Sequence, residues 1–254
     1  MNICIWCKKE SEEYSKEHII PEALGCPEGF ELTAGEVCRR CNNGLAHLDQ
    51  AIIDDFDILS FMWDIPRKKS KFPIIANRGN MIGRRTLTDK QILINMESYP
   101  VKSPNGEMIS PLGKSGRNIK ASFSTDGKEA KMSFNTTLGN SVKFCRGIHK
   151  IAFSSLTYFL STAVALNDFF DPVRAFVALG EGKRKVAVCN ATDSKYKNEV
   201  WPPYVRNEEE YIVHLRIAVA EFFVDLSPNM TMLPDILEKL KESYGEKGWS
   251  YIPV

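Results

Sequence analysis

Several features are missing from this sequence of 254 residues, and each absence excludes a class of protein. No apolar run is long enough to span a bilayer: the longest stretch without a charged residue, 151–167, has 17 residues and contains five Ser and Thr residues. An apolar leader is also lacking, because residues 1–8 include Trp6 and two cysteines and run into a charged stretch. No nucleotide-binding loop, catalytic-triad pattern or internal repeat is present. We therefore expect a cytoplasmic protein without a membrane partner.

Five of the seven cysteines fall in the first 41 residues. Four of these five form two Cys-x2-Cys pairs, Cys4 with Cys7 and Cys38 with Cys41, which is the ligand spacing of a closed tetrahedral zinc site. A disulfide framework is the alternative, and it is typical of small secreted chains. The sequence therefore predicts a structural Zn²⁺ held by four thiolates, with the residues between the two pairs held in a fixed shape around it.

Three short segments carry a resemblance to a known family. They are Cys-Ile-Trp-Cys at 4–7, Lys-Glu-His-Ile-Ile-Pro-Glu-Ala-Leu-Gly at 16–25, and Cys-Arg-Arg-Cys-Asn-Asn-Gly at 38–44. Together they resemble the HNH endonucleases of the zinc-stapled ββα-metal kind, over about residues 1–50. The resemblance implies a two-stranded hairpin followed by a helix, which hold one divalent cation against a DNA phosphate. It also implies cleavage that leaves 5′-phosphate and 3′-hydroxyl ends.

The chemistry of such a site can be assigned to three residues. Phosphodiester hydrolysis needs a water nucleophile, a base for its proton and a cation that stabilises charge on the phosphate. His18 is the expected base, because an imidazole titrates near neutral pH. Glu17 and Asn42 offer the oxygen ligands that Mg²⁺ or Mn²⁺ prefers. By the resemblance, Glu17 and Asn42 bind the catalytic metal and His18 activates the water.

The name HNH implies a second histidine on the closing helix, and the chain departs from the family pattern at this third position. His47 is the nearest histidine, but in a helix that starts near Asn42 it would lie about 140° around the axis from Asn42. Asp49 returns to nearly the same face as Asn42, so Asp49 is the better-placed further ligand. Asn43 would replace Asn42 if the helix started one residue later.

Charge is distributed unevenly, although the net charge of the chain is only +1. Residues 1–60 contain 5 basic and 12 acidic residues, a balance of −7, whereas residues 61–131 contain 14 basic and 6 acidic residues, a balance of +8. Phosphate neutralisation supplies most non-specific DNA affinity, so the basic stretch is the expected DNA contact. The candidate residues are Arg67, Lys68, Lys69, Lys71, Arg84 and Arg85.

The remaining sequence predicts a mixed α+β fold. A helix is expected over Leu48–Trp63, and the alternation on both sides of Asp126-Gly127 predicts a hairpin. Further elements are an apolar helical stripe from Phe144 to Leu160, a helix from Asp171-Pro172 to Gly180, strands in Tyr211–Leu226, and a helix over Pro234–Ser243. We expect an HNH module at 1–60 and a larger α+β domain of unrecognised type at 61–254, with a role in DNA binding, specificity or assembly.

The function expected from the sequence is therefore that of a metal-dependent HNH endonuclease that cuts DNA, in restriction, phage defence or a mobile element. Two alternatives stay open. One is a zinc-dependent nucleic-acid-binding protein that does not cleave, and the other is a nuclease for RNA or for branched or modified DNA. A homodimer, or a partner subunit of a defence system, is also compatible with the sequence.

Overall fold

The structure is a computed structural model, and it describes residues 2–33, 35–62, 65, 81–85, 92–96, 101–102, 108–110, 119–123, 130–134, 139, 141–191, 195–245 and 249–252. The chain divides into two units, the first made of residues 1–56 with 138–254 and the second of residues 57–137. Residues 1–56 thus pack with the last part of the chain. The domain division at residue 60 stays a prediction, because this grouping describes packing alone.

The N-terminal module contains the hairpin and helix that the sequence predicts. Strands β1 (Glu17–His18) and β2 (Glu31–Leu32) pair antiparallel, with Glu17 opposite Leu32 and His18 opposite Glu31. A 3₁₀ turn at Glu22–Leu24 lies between them, and Gly25 ends it with a φ of 82°. Helix α1 (Arg39–Met62) follows. The expected α+β class with an N-terminal hairpin-helix module is confirmed.

Helix α1 begins earlier than Leu48 or Asn42, because the second cysteine pair itself starts it. The carbonyl of Cys38 accepts from the backbone N–H of Asn42 at 3.0 Å, which is the first helical hydrogen bond. The Sγ atom of Cys38 accepts from the N–H of Cys41 at 3.4 Å, as a capping side chain does for a free donor of the first turn. The helix therefore includes Cys41 and Asn42 in its first turn, and the expected start at Leu48 was wrong.

The rest of the first unit combines helices with one antiparallel sheet. Its helices are α2 (Val142–Phe159), α3 (Thr162–Ala165), α4 (Asp171–Leu179) and α5 (Leu233–Tyr244). Its strands are β9 (Val186–Asn190), β10 (Glu199–Val200), β11 (Tyr204–Arg206), β12 (Glu210–Ile217), β13 (Ala220–Asp225) and β14 (Trp249–Ile252). The strand order is β10-β12-β13-β9-β14, and β11 also pairs with β12.

The elements predicted for this region are confirmed at nearly the expected bounds. The Phe144–Leu160 stripe forms α2, Asp171-Pro172 starts α4, and Gly180 ends α4 with a φ of 77°. The apolar stretch Tyr211–Leu226 folds as the β12–β13 hairpin. None of the described helices is both long and apolar enough to cross a membrane.

Helix α2 is the core of the first unit, and most of its residues are buried. Its Phe153 contacts Trp6 of the module, with ring centroids 4.9 Å apart. Its Phe144 contacts both Phe56 of α1 and Phe222 of β13 at 6.1 Å. Burial of a phenylalanine side chain contributes roughly 1.5–3 kcal/mol to stability. Helix α2 therefore joins the N-terminal module to the sheet.

Apart from the end of helix α1 and residue 65, the described residues of the second unit are strands. Strands β3 (Met81–Arg85) and β4 (Ile92–Met96) form one antiparallel pair. Strands β5 (Val101–Lys102), β6 (Met108–Ser110), β7 (Ile119–Phe123) and β8 (Ala130–Phe134) form an antiparallel sheet in chain order. The pairing of Phe123 with Ala130 confirms the predicted hairpin, although Asp126 and Gly127 lie outside the described residues.

Candidate functional site

The four predicted zinc ligands come together. The Sγ atoms of Cys4, Cys7, Cys38 and Cys41 all lie within 4.8 Å of one another. Tetrahedral zinc with Zn–S bonds of about 2.3 Å places sulfur atoms about 3.8 Å apart, so the cluster fits this ion. None of the seven cysteines forms a disulfide in the structure. The cluster could therefore hold one zinc ion.

The backbone around the cluster orients the sulfur atoms. A tight turn closes the first pair, in which the N–H of Cys4 donates to the carbonyl of Lys9 at 3.0 Å and the N–H of Lys8 donates to the carbonyl of Cys4 at 2.8 Å. The N–H of Cys38 donates to the Sγ atom of Cys4 at 3.4 Å. Hydrogen bonds from Cys41 and from nearby backbone groups lower the pKa of Cys4 to about 4, although burial opposes them. A thiolate at Cys4 is the form in which this residue could bind zinc.

Glu17 and His18 lie on opposite faces of the hairpin, because successive side chains of a strand point in opposite directions. The side chain of Glu17 is 2% exposed and faces the interior, whereas that of His18 is 33% exposed. The two neighbouring candidates therefore have different surroundings.

Glu17 is bound by a lysine that the sequence pattern did not identify as a site residue. The Nζ atom of Lys150, on α2, lies 2.5 Å from Oε1 of Glu17. The same ammonium donates to both carboxylate oxygens of Asp49, on α1, at 2.8 and 2.7 Å. Lys150 is 1% exposed. One buried ammonium therefore connects the two candidate acidic ligands.

The protonation of this cluster follows from burial and charge. Burial disfavours the charged form of Lys150, but the charges and hydrogen bonds of Asp49 and Glu17 outweigh it and raise the pKa of the ammonium. Burial also raises the pKa of the Glu17 carboxyl, while Lys150 lowers it in part. The ammonium is therefore charged at neutral pH and is neutralised by Asp49 and Glu17.

Asn42 contacts the loop before β1. Its Nδ2 atom donates to the backbone carbonyl of Lys16 at 2.8 Å and to Oγ of Ser15 at 3.0 Å. These bonds join the first turn of α1 to the residue that precedes Glu17. In this arrangement the Asn42 side chain fixes the start of β1.

His18 lines an open cleft of about 490 Å³, together with Glu22, Glu31 and Lys16. Its Nδ1 atom lies 3.6 Å from Oε2 of Glu31, its cross-strand partner, and its Nε2 atom lies 3.9 Å from Oε2 of Glu22. Lys16 forms an ion pair with Glu31. The imidazole is thus reachable from solvent and has a carboxylate near each nitrogen.

His47 is exposed on α1 and lies outside this arrangement. Its Nδ1 atom is 2.9 Å from the carbonyl of Gly44 in the preceding turn. Asp49, two residues later, faces inward to Lys150. The two residues thus lie on different faces of the helix, as the 100° step per residue requires.

Three residues of the site could not be selected from the sequence pattern that identified the others. Glu22 and Glu31 are ordinary acidic residues in sequence, and only the hairpin register brings Glu31 opposite His18. Lys150 did give a signal, since it is a charged residue in the middle of an apolar helix. A charge at such a position requires a partner, but the sequence does not identify that partner.

Among the predicted DNA-binding residues, Arg67, Lys68, Lys69 and Lys71 lie outside the described residues. Arg84 and Arg85 belong to β3, and their side chains lie outside the described part. Their role in DNA binding stays a prediction.

Comparison with known proteins finds a match for the N-terminal residues. No curated protein and no solved structure matches the chain. Residues 4–57 match the model of a protein family described as HNH endonuclease. This range contains the cysteine cluster, the hairpin and most of α1. The chain therefore carries an N-terminal HNH endonuclease domain with a four-cysteine cluster that could hold zinc, followed by a larger sheet-rich region.

Proposed function

We propose that this protein is an endonuclease that hydrolyses phosphodiester bonds of DNA, with His18 as the general base. The observation that carries the proposal is the location of His18. It lies in an HNH domain, on a strand held beside a four-cysteine cluster, and it faces an open cleft. A general base must be reachable by both water and substrate, and His18 meets this condition.

The reaction assigns one proton transfer to His18. The imidazole takes a proton from water while the water oxygen forms a bond to phosphorus, and the bond from phosphorus to the leaving oxygen breaks. The leaving oxygen then takes a proton from solvent. Glu31, 3.6 Å from Nδ1, stabilises the imidazolium that forms and orients the ring. Glu31 is therefore a positioning residue.

HNH endonucleases use a catalytic divalent metal ion. The candidate ligands of this chain can be compared with what such an ion requires. Glu17 and Asp49 offer oxygen ligands, but the ammonium of Lys150 is bound to both carboxylates. The hydrogen bonds of Asn42 use its Nδ2 atom and do not engage Oδ1, the atom that would bind a metal ion. As arranged, the carboxylate pair does not fit a divalent ion, and we derive no step through one. Dependence on Mg²⁺ or Mn²⁺ is a separate part of the proposal that the cleavage assay measures.

DNA is the proposed substrate because of the family and the charge distribution. The module itself is acidic, and the segment 61–131 has a net charge of +8. A protein that binds a polyanion needs basic residues to neutralise the phosphates. Restriction, phage defence or a mobile element in the cytoplasm is the proposed setting, with a second copy or a partner subunit as the means of cutting both strands.

A second candidate function is favoured by one observation. The contact of Lys150 with both acidic residues is compatible with a zinc-stapled domain that binds nucleic acid but does not cut it. RNA and branched or modified DNA are further substrates to compare. These alternatives are separated by activity rather than by affinity.

The test is a plasmid-nicking assay on the zinc-loaded full chain with added Mg²⁺, Mn²⁺ or Ni²⁺, repeated on RNA and branched DNA. The variant His18→Ala should lose cleavage by at least about 10²-fold, which is the usual contribution of a positioned base. DNA binding, measured by gel shift, should stay near wild type. The matched control is His47→Ala, because His47 is exposed on the same domain but outside the cleft. Normal cutting by His18→Ala would refute the assignment of the base.

A further inference from the structure

We propose that Lys150 is the resident cation of the Glu17–Asp49 pair, and that it closes this pair to divalent metal ions in the folded protein. The proposal concerns the metal requirement of the domain assigned above. It can be tested by ion binding alone, without any measurement of cleavage.

The distances are those of an ammonium bridge between two carboxylates. The Nζ atom lies 2.5 Å from Glu17 and 2.7 and 2.8 Å from the two oxygens of Asp49. An ammonium donates at about 2.7–2.9 Å, whereas Mg²⁺ requires oxygen atoms at about 2.0–2.1 Å in a near-octahedral arrangement. Three carboxylate oxygens therefore already bind one cation.

Burial makes it energetically costly to displace the Lys150 ammonium from the two carboxylates. Lys150 lies in the middle of α2, and its neighbours Ile148, His149, Ile151 and Ala152 have no exposed surface. An ammonium displaced from the carboxylates would be left without a partner in this apolar region, which is strongly unfavourable. A divalent ion beside the ammonium would instead add like-charge repulsion in a region of low dielectric constant. Both routes oppose metal binding at the pair.

The bridge also joins three elements that are distant in sequence. Glu17 belongs to β1, Asp49 to α1 and Lys150 to α2, and all three belong to the unit formed by residues 1–56 and 138–254. A mobile metal ion would link only the two elements of the module. The lysine links both of them to the C-terminal part of the chain, so the carboxylates act as structural anchors.

The experiment titrates Mn²⁺ into the zinc-loaded full chain and follows free Mn²⁺ by electron paramagnetic resonance. Wild type, Glu17→Gln and Asp49→Asn should titrate alike, because Lys150 keeps Mn²⁺ off these carboxylates. Lys150→Met should gain one Mn²⁺ site, at least about 10-fold tighter than any Mn²⁺ binding that wild type shows. The double variant Lys150→Met with Glu17→Gln should lose the gained site. Zinc content and far-ultraviolet circular dichroism check that each variant is folded.

Two results would overturn the proposal. One is Mn²⁺ binding to the protein with Lys150 intact that weakens by about 10-fold or more in Glu17→Gln, since the ion would then displace the lysine. The other is a folded Lys150→Met variant that gains no site. If Lys150→Met does not fold, the comparison of wild type with Glu17→Gln and Asp49→Asn decides the question by itself. A protein that never cuts DNA would refute the proposed function and leave these titrations unchanged, so the two failures are distinguishable.

Discussion

The Sγ atoms of Cys7 and Cys38 lie 4.0 Å apart, although 31 positions separate the two residues in the sequence. This separation is close to the sulfur spacing of about 3.8 Å around a tetrahedral zinc ion. The two cysteine pairs thus close a long loop that contains β1 and β2. Binding of a metal ion at such a closure is linked to the folding of the loop that it closes.

We predict that the purified chain contains one zinc ion and that Cys41→Ser releases it. Loss of one thiolate opens the tetrahedral site, and metal binding is linked to the local folding of the residues around it. Zinc content by elemental analysis should fall from one per chain to near zero, and limited proteolysis should then cut within the first 50 residues. The matched control is Cys26→Ser, because Cys26 lies outside the cluster and donates to the carbonyl of Phe30. A folded, active wild-type protein without zinc would contradict the prediction.

A second prediction concerns the contact between α1 and α2. A Cβ atom at Gly147 would lie 2.8 Å from Cδ1 of Ile52 and 2.9 Å from the backbone oxygen of Leu48. Because backbone cannot move aside easily, Gly147→Ala should lower the free energy of unfolding by about 1–3 kcal/mol, the usual cost of overpacking. Urea denaturation with zinc present measures this change.

The control for Gly147 is Gly44→Ala in helix α1. A Cβ atom at Gly44 would have no neighbour within 4 Å, so the substitution adds helix propensity without a clash. It should raise the stability by up to about 1 kcal/mol. Equal effects of the two substitutions would show that the helices can separate at Gly147.

Much of the module could be predicted from the sequence because its signals are local. The spacing of Cys4, Cys7, Cys38 and Cys41 identifies a tetrahedral site without any knowledge of the fold. Asp171-Pro172 and Gly180 define the ends of α4 because each residue type favours its backbone conformation at that position. Glu17 and His18 face opposite directions, as neighbouring residues of a strand do, whereas both had been expected at one catalytic site.

The partner of Glu17 was not predictable in the same way. Lys150 lies 101 positions after Asp49, and only the packing of α2 against the module brings the two together. The early start of α1 was unexpected for another reason. Cysteine is not a usual capping residue, and the sulfur of Cys38 accepts a helix N–H because the cluster holds it there.

A third prediction concerns the pH dependence of stability. His149 has no exposed surface, and burial, assisted by the charge of Arg184, lowers the pKa of its imidazole to about 3. In the unfolded chain a histidine has a pKa of about 6.5, so the unfolded state binds more protons between these values. The stability contributed by neutral His149 is therefore present above about pH 6.5 and is lost progressively as the pH falls toward 3.

The expected size follows from the two pKa values. Between about pH 7.5 and 5.5, wild type should lose about 1.4 kcal/mol more stability than His149→Phe. Phenylalanine fills a similar volume beside Phe176, whose ring centroid lies 5.0 Å from that of His149. Release of zinc at low pH affects both proteins, so the difference between them isolates the histidine. Parallel pH curves for the two proteins would contradict the prediction.

The last prediction concerns the basic segment after the acidic module. Replacement of Arg67, Lys68, Lys69 and Lys71 by Ser should weaken DNA binding for all sequences alike, because phosphate contacts do not distinguish bases. The slope of log K against log salt should shrink by about 0.9 for each phosphate that is no longer bound, hence by about 3.6 if all four residues bind phosphate. Zinc content and the metal dependence of cutting should not change, since none of the four is a proposed ligand.

The control removes the same charge elsewhere. Lys143, Lys183, Lys195 and Lys239 are exposed residues of the first unit, and their replacement by Ser changes the net charge by the same amount. If local phosphate contacts are responsible, this control should keep the wild-type salt slope. If both sets reduce the slope equally, the effect is one of net charge. An unchanged slope in the first set would exclude this run as a phosphate contact, and Arg84 and Arg85 would then be the next residues to replace.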